Sequence, residues 1–445
     1  MKLEEFMDSS PVNFLAVETV KENLVEAGYR EWTASEPCPK VKSGDKIFVT
    51  KNGSAVFAFH IGKRRLSEKG LRIVAAHADS PTFRVKPNAE IRCEGGLVKL
   101  NTESYGGAIM STWMDRPLSL AGRVVLTPEE DGDVIEPRVR LLRIDRPLLT
   151  IPNLAIHFNR QVNDGVALSK QKDMLPILTA TGKSSSLSEE ESKYGVLKVI
   201  VAKELNVKPD EILDFDLCLY DTTPAQLVGV YSEFVQSGRL DDLSMVHAGM
   251  EALLAEKEIP EVTKCLAIFD NEETGSQTKQ GAGSPFFSQL IQRLVESECF
   301  AEDQEMSEAV VDAFARCVEH SFMISADNAH AWHPNYNEKY DPTNHPVMGG
   351  GPVIKYNASQ KYLSDAVGAA VFMQVCRKVG VPYQTFVNHS DVAGGGTLGN
   401  ILSSSFPVRG VDMGNPIWAM HSARETASMQ DHEYCIRAFT EYYRG

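Results

Sequence analysis

Four short apolar runs in this chain end in side chains that can bind metals. Leu71 to Ala76 runs into His77-Ala78-Asp79, and Cys265 to Phe269 runs into Asp270-Asn271-Glu272-Glu273. Phe322 to Ser325 leads to Asp327, and Tyr383 to Val387 leads to His389 and Asp391. As strands of a parallel sheet, such runs bring their carboxyl ends to one edge, where open α/β proteins bind ligands. Two further candidates stand elsewhere. Asp241 opens a segment with Leu243, Val246, Met250 and Leu253 at helical spacing, and His421 sits in Trp418-Ala419-Met420-His421-Ser422. Imidazole with carboxylate is the donor set that suits zinc, manganese or cobalt at paired sites. Two such ions need a bridging carboxylate, terminal ligands on each side and a free carboxylate that takes a proton from water. Adjacent Glu272 and Glu273 can divide two of those jobs, one on metal and its neighbour as general base. Asp79, two residues beyond His77 on an extended segment, is placed to accept the other imidazole hydrogen and fix the ring.

The elements that must position these groups are legible in outline. Ser10-Pro11 followed by Phe14, Val17, Val20, Leu24 and Val25 predicts an amphipathic helix that stops at Gly28. Ile47 to Val49, Val56 to Phe59 and Leu71 to Ala76 predict strands separated by glycine turns. Between about 86 and 225 the texture changes to short alternating segments such as Arg138 to Ile144, broken by Gly, Pro and the polar stretch Gly182 to Glu191. That stretch of chain reads as a separate, mainly β domain. Beyond about 230, helical patterns alternate with apolar runs, as βαβ architecture requires. One such helix has Ser364 and Asp365 as cap candidates and a stripe of Val367, Val371, Val375 and Val379 before Gly380. The expected organisation is one α/β domain from residues 1–85 and 226–445, interrupted by a β-rich insertion at 86–225.

Composition bounds the class. The chain has 445 residues, 43% hydrophobic and 24% charged, and a formal net charge of −15, so a soluble globular protein is expected and nucleic acid or an anionic membrane is not its main partner. No run approaches a membrane span, and Met1 to Asp8 lacks a signal-peptide pattern, so a cytoplasmic location is expected. The eight cysteines are scattered with no pair at CxxC spacing, which argues for reduced, structural thiols.

These residues resemble the aspartyl aminopeptidases of the dinuclear-metal aminopeptidase clan over nearly the whole chain. The resemblance rests on His77-Ala78-Asp79-Ser80-Pro81, Ser237 to Leu243, Asp270 to Ser276, Ser325 to His330 and Ala419-Met420-His421-Ser422, in family order. It implies a mixed sheet sandwiched by helices, the dinuclear metallopeptidase fold, with two divalent metal ions per subunit, zinc first and manganese or cobalt as alternatives. Asp241 would bridge the metals, with His77 and Asp327 completing one site and Glu273 and His421 the other. Glu272 would be the base that activates the metal-bridging water for hydrolysis of a peptide's first bond, and Asp79 would support His77. The resemblance further implies that the insertion dimerises, that dimers build a dodecamer, and that Ile151 to His157 sends His157 into a neighbouring subunit's site. Asn153 departs from the histidine frequent at that family position. Lys355 is the family-position cation for an acidic first residue of the peptide substrate.

Two other readings compete. Gly394-Gly395-Gly396-Thr397-Leu398-Gly399, with Asp412 after a further apolar run, satisfies the dinucleotide fingerprint, but Asn388 to Ala393 intervene between strand and first glycine. A self-assembling particle with a cargo-like role, or another two-metal hydrolase, uses the same residues differently. His330, His333 and Asp391 receive no ligand role, and Gln304 to Glu308 and Glu189 to Glu191 read as solvated faces.

Overall fold

The computed structural model describes residues 1–129, 132–180, 187–300 and 310–445. Gln304 to Glu308 and Gly182 to Ser186 lie outside the described residues. The chain divides into two compact units. One comprises Met1–Asp79, Ala225–Met420 and Glu425–Gly445; the other comprises Ser80–Pro224 with His421–Arg424.

The first unit is built on a nine-stranded mixed sheet. Its centre is four parallel strands in the spatial order Thr263–Phe269, Leu71–His77, Phe322–Ala326 and Arg409–Gly414. These strands read as continuous apolar runs because helices cover both faces. The pleat sorts their residues. Val74, Ala76, Leu266 and Ile268 enter one apolar cluster with Phe6, Leu243, Val246 and Phe439, whereas Ile73, Ala75, Cys265 and Ala267 enter a second with Phe287, Leu290 and Phe406. Each such Val, Leu, Ile or Phe removed from water contributes about 1.5–3 kcal/mol before entropy is counted. A five-stranded sheet of Gln226–Val228, Phe234–Ser237, Glu425–Ser428, Pro416–Trp418 and Ala329–His330 completes this unit.

The helix Leu240–Leu254 packs against Met429–Arg444 and the strand Leu71–His77, and its residues from Leu240 to Met250 are all buried. It is therefore a core element rather than the one-faced helix its spacing suggests. Asp241 and Asp242 open it with non-helical dihedrals, joined by a cis peptide bond.

Three local expectations are corrected. The second helix runs Asn13–Glu26 with Val12 rather than Ser10 at its N-cap, and Val25 faces solvent. In the helix Ala366–Lys378, Asp365 does cap the N-terminus, accepting Gly368 N–H at 2.6 Å. Its buried face is Gly368, Ala369, Phe372 and Cys376, while Val367 is exposed, so the valine stripe lies one position off the core. The run Tyr383 to Val387 forms the edge strand Gln384–Phe386, parallel to Val353–Lys355, which itself runs antiparallel to Arg409–Gly414. It therefore runs opposite to the four central strands, so His389 and Asp391 do not follow a strand that ends with them.

The second unit has a six-stranded antiparallel sheet in the order Arg138–Arg143, Leu118–Leu126, Ile212–Asp221, Thr82–Arg92, Leu97–Tyr105 and Ile177–Ala180. Helices Glu189–Tyr194 and Val196–Leu205 accompany it, the first opened by a capping box in which Ser188 Oγ accepts Glu191 N–H at 3.1 Å. Leu100, Leu120, Val201 and Leu217 share its own apolar core. No helix among the described residues is long and apolar enough to cross a membrane.

Candidate metal centre

Register brings the first donors together. Phe269 pairs with His77, and Ser325 with Ala75, so Asp270, His77 and Asp327 emerge at one edge of the parallel sheet. The buried opening of the helix Leu240–Leu254 meets them there. Asp242 Oδ2 accepts His77 N–H at 3.2 Å, and His77 Nε2 lies 4.0 Å from Asp241 Oδ1. Asn328 ties this helix to the strand end: its Nδ2 donates to Leu240 O at 2.7 Å and to Ser244 Oγ at 3.0 Å. Asp241 N–H in turn donates to the buried Glu425 Oε2 at 3.1 Å. Donor atoms of His77, Asp241, Asp242 and Asp327 all lie within 4.8 Å of one another, as do those of His77, Glu272 and Glu273.

Asp79 links the two groups. The other ring nitrogen of His77, Nδ1, lies 3.0 Å from Asp79 O and 3.4 Å from Asp79 Oδ1. The Asp79 carboxylate also accepts two backbone hydrogens, from Glu272 N at 3.1 Å and Glu273 N at 3.1 Å. It thereby pins the single 3-10 turn Glu272–Thr274, which is entered through Asn271 in the left-handed region (φ 61°) and left through Gly275 (φ 97°). Asp270 braces the entry by accepting from Asn13 Nδ2 at 2.9 Å and Asn271 N at 2.8 Å.

Burial and like charge shape the titration. Burial raises the Glu272 carboxyl to about 8, opposed by His77 and reinforced by Asp327, Glu273 and Asp79. Burial likewise raises Asp327 to about 6 against the pull of Lys355, and holds Asp242 well above the carboxylate range. For His77, burial alone would lower the imidazole, but Asp79, Asp242 and Glu272 outweigh it and raise it well above the usual value. So many carboxylates in a dry pocket demand cations. Imidazole and carboxylate oxygen, both hydrogen-bonded from behind, are the donors that divalent transition metals take, so these residues fit such ions.

The remaining candidates are placed as follows. Lys355 is buried, with Nζ 3.4 Å from Asp327 Oδ2, 3.1 Å from Asn328 O and 5.4 Å from the Tyr362 ring centre. His421 belongs to the second unit, where its carbonyl accepts Ile109 N–H at 3.0 Å and Nδ1 lies 3.3 Å from Gly107 O. His157 is exposed in that same unit, among exposed Leu154, Ile156 and Phe158. Asn153 there is engaged with Asp115, donating its backbone N–H at 2.9 Å and Nδ2 at 2.8 Å. His389 faces Asp391 at 3.9 Å, and the His333 ring lies tilted against Tyr336 with centroids 4.9 Å apart; neither joins a donor group among the described residues.

The glycine-rich run has a packing role. Asp412 is fully buried and accepts from Ser325 Oγ at 2.5 Å, Thr397 Oγ1 at 2.7 Å and Leu363 N at 2.5 Å. A Cβ on Gly399 would stand 2.5 Å from Ser325 Oγ, so close packing explains that glycine. Asp242 and Asn328 are the site residues that sequence reasoning left unassigned. The Asp-Asp doublet and the Asp-Asn doublet were the available signals.

Comparison with known proteins agrees with this architecture. The family model of the aminopeptidase I zinc metalloproteases (M18) matches residues 6–443. A relative from Clostridium acetobutylicum, named "Probable M18 family aminopeptidase 2", is 46% identical over 442 residues, covering 99% of this chain and 98% of its own. Among solved structures, a chain of the Ape4 and Nbr1 complex is 35% identical with a TM-score of 0.92, covering 99% of this chain and 84% of that one. The S. cerevisiae mApe1 dodecamer, at 23% identity, shares the fold with a TM-score of 0.83 over 99% of this chain and 95% of that one. The chain therefore belongs to the M18 family of zinc metalloproteases and is a metalloaminopeptidase of that family.

Proposed function

We propose that this aminopeptidase removes acidic residues, Asp or Glu, from peptide N-termini, with Glu272 as the general base. The observation that carries the base assignment is the posture of Glu272: a half-buried carboxyl within 4.8 Å of the His77 and Glu273 donors, its backbone held by Asp79, its proton affinity in the metal-free protein raised to about 8. A carboxyl held beside the donor groups but outside the proposed ligand set can take a proton from the attacking water and return it to the leaving amine.

Two divalent ions, zinc in the first instance, would be held by His77, Asp241 and Asp327 on one side and by Asp241, Glu273 and His421 on the other. Bound there, they would supply Lewis-acid polarisation and a lowered water pKa. Asp79 would orient both His77 and the Glu272-Glu273 turn. Lys355 would supply the cation for the acidic side chain; its buried ammonium beside Asp327 supports this.

We further propose that residues 86–225 form a dimerisation domain and that dimers assemble to a dodecamer, with His157 reaching a neighbouring subunit's site. Support comes from the exposed apolar segment around His157, and from Val139 and Leu141, exposed on the edge strand Arg138–Arg143. A cytoplasmic location fits the scattered free thiols.

Glu272→Gln tests the central assignment. Metal content and assembly should be unchanged while turnover falls roughly 10²–10⁴-fold; unchanged turnover would remove Glu272 as base.

A further inference from the structure

At the amino ends of the central parallel strands, the edge opposite His77 and Asp327, lies a cavity of about 570 Å³. Its floor is a cross-strand row. Phe322 pairs with Arg72 on one side and with Arg409 on the other, so all three side chains rise from the same face of the sheet. Two arginines therefore flank one phenylalanine, with Cα atoms roughly 10 Å apart across two strand spacings. The helix Ala366–Lys378 presents Val371 and Val375 to this space, and Met429–Arg444 presents Tyr442. That is where two valines of the misread stripe go: half-buried, at the border of a cavity.

The charges around the cavity are unevenly satisfied. Lys378 Nζ pairs with Glu441 at 2.5 Å, and Arg377 donates to Tyr383 OH at 2.9 Å. Tyr442 OH is fixed between Phe322 O at 2.5 Å and Ile73 N at 3.1 Å. Arg72 and Arg409 have no carboxylate partner among the described residues. Glu441, already shared with Lys378 and, at 3.6 Å, with Arg444, and the terminal Gly445 also line the cavity, and neither is paired with Arg72 or Arg409. In a chain of net charge −15, two arginines on one sheet face, either side of Phe322, run against the overall charge.

We propose that this cavity binds a small phosphate ester, with its phosphate shared between Arg72 and Arg409 and its apolar body against Phe322, Val371 and Val375. Guanidinium forks match the oxygens of a phosphate bidentately, and a dianion relieves the repulsion between two arginines in one stroke. The volume is that of a small-molecule site. Its distance from the metal centre, five residues along an extended strand or roughly 17 Å, makes it a separate site rather than a part of the peptide-binding cleft.

The test uses phenyl phosphate, titrated calorimetrically into the full-length, metal-loaded protein and into R72Q/R409Q. We expect binding to weaken by at least about tenfold in the double variant, the loss of more than one charge-assisted contact, with peptide hydrolysis equal in the two proteins. No binding to the parent overturns the proposal. So does equal binding in both, which is the outcome if phenyl phosphate occupies the metal centre alone. Should the double variant not fold, Arg409→Gln, altered at an exposed strand start, must show the same direction of change; unaltered binding there contradicts the proposal.

Discussion

The Asp79 carboxylate holds Glu272 through its backbone, Oδ1 accepting the Glu272 amide hydrogen at 3.1 Å. Its second oxygen does the same for Glu273, and the same residue faces Nδ1 of His77. One side chain thus fixes His77, Glu272 and Glu273 relative to each other. Asp79→Asn keeps the shape but substitutes an amide donor for one of the two acceptors. Activity should fall by about 10–100-fold, the usual cost of a supporting partner at a metal site, with metal content lowered in step. Steady-state kinetics beside metal analysis checks this, and wild-type values for both would show that the three contacts are incidental.

The pH response of metal-free protein follows from the buried carboxyls. With Glu272 raised to about 8 and Asp327 to about 6, chiefly by burial, the fold keeps protons that the unfolded chain releases near pH 4 to 5. His77, raised by its carboxylate neighbours in spite of burial, has the same sign. This stability is complete below the unfolded values and is lost as pH rises through the folded ones. Chelated protein should therefore melt lower at about pH 8 than at about pH 5.5, and added divalent metal should restore more at the higher pH. Thermal unfolding with and without chelator measures it; a metal-free melting temperature that climbs across this range contradicts the assignment.

Much of this arrangement was legible in the sequence, and what escaped has physical causes. Apolar runs ending at His77, Phe269 and Ala326 are strands because both sheet faces are covered, and a run of that kind needs no alternation to be recognised. The direction of Gln384–Phe386 could not be read, since an apolar run is the same whichever way its strand points. The stripe Val367 to Val379 misled because Val371, Val375 and Val379 pack only partly against the core and Val367 is exposed, while the buried face uses Gly368, Ala369, Phe372 and Cys376. Asp242 was missed because its role depends on a non-helical opening of Leu240–Leu254 that turns both aspartates inward. Asp79's grip on two backbone hydrogens depends on strand register, which spacing alone does not reveal.

His421 is proposed to complete the donor set on the Glu273 side. His421→Ala should then lower bound metal below that of the parent, read by elemental analysis of dialysed protein, with activity falling in proportion and recovering at high added metal. Full occupancy in the variant removes His421 from the ligand set.

Lys355 is proposed to carry a preference for acidic peptides. Lys355→Met removes the charge but keeps most of the buried stem, though Asp327 loses its partner, so all turnover should drop. The discriminating quantity is the ratio of kcat/KM for Asp-initiated against Leu-initiated peptides, expected to fall by about tenfold or more. An unchanged ratio assigns Lys355 to holding Asp327 and leaves selectivity to another group.

The central claim is metal-dependent removal of acidic N-terminal residues. It is tested most directly by following residue release from a panel of short peptides with chelator-stripped protein and after zinc, manganese or cobalt is restored. The account predicts no release without metal, and one-residue cleavage favouring Asp or Glu once metal returns. Release that ignores chelation, or no release with any of the three metals from assembled protein, would contradict it.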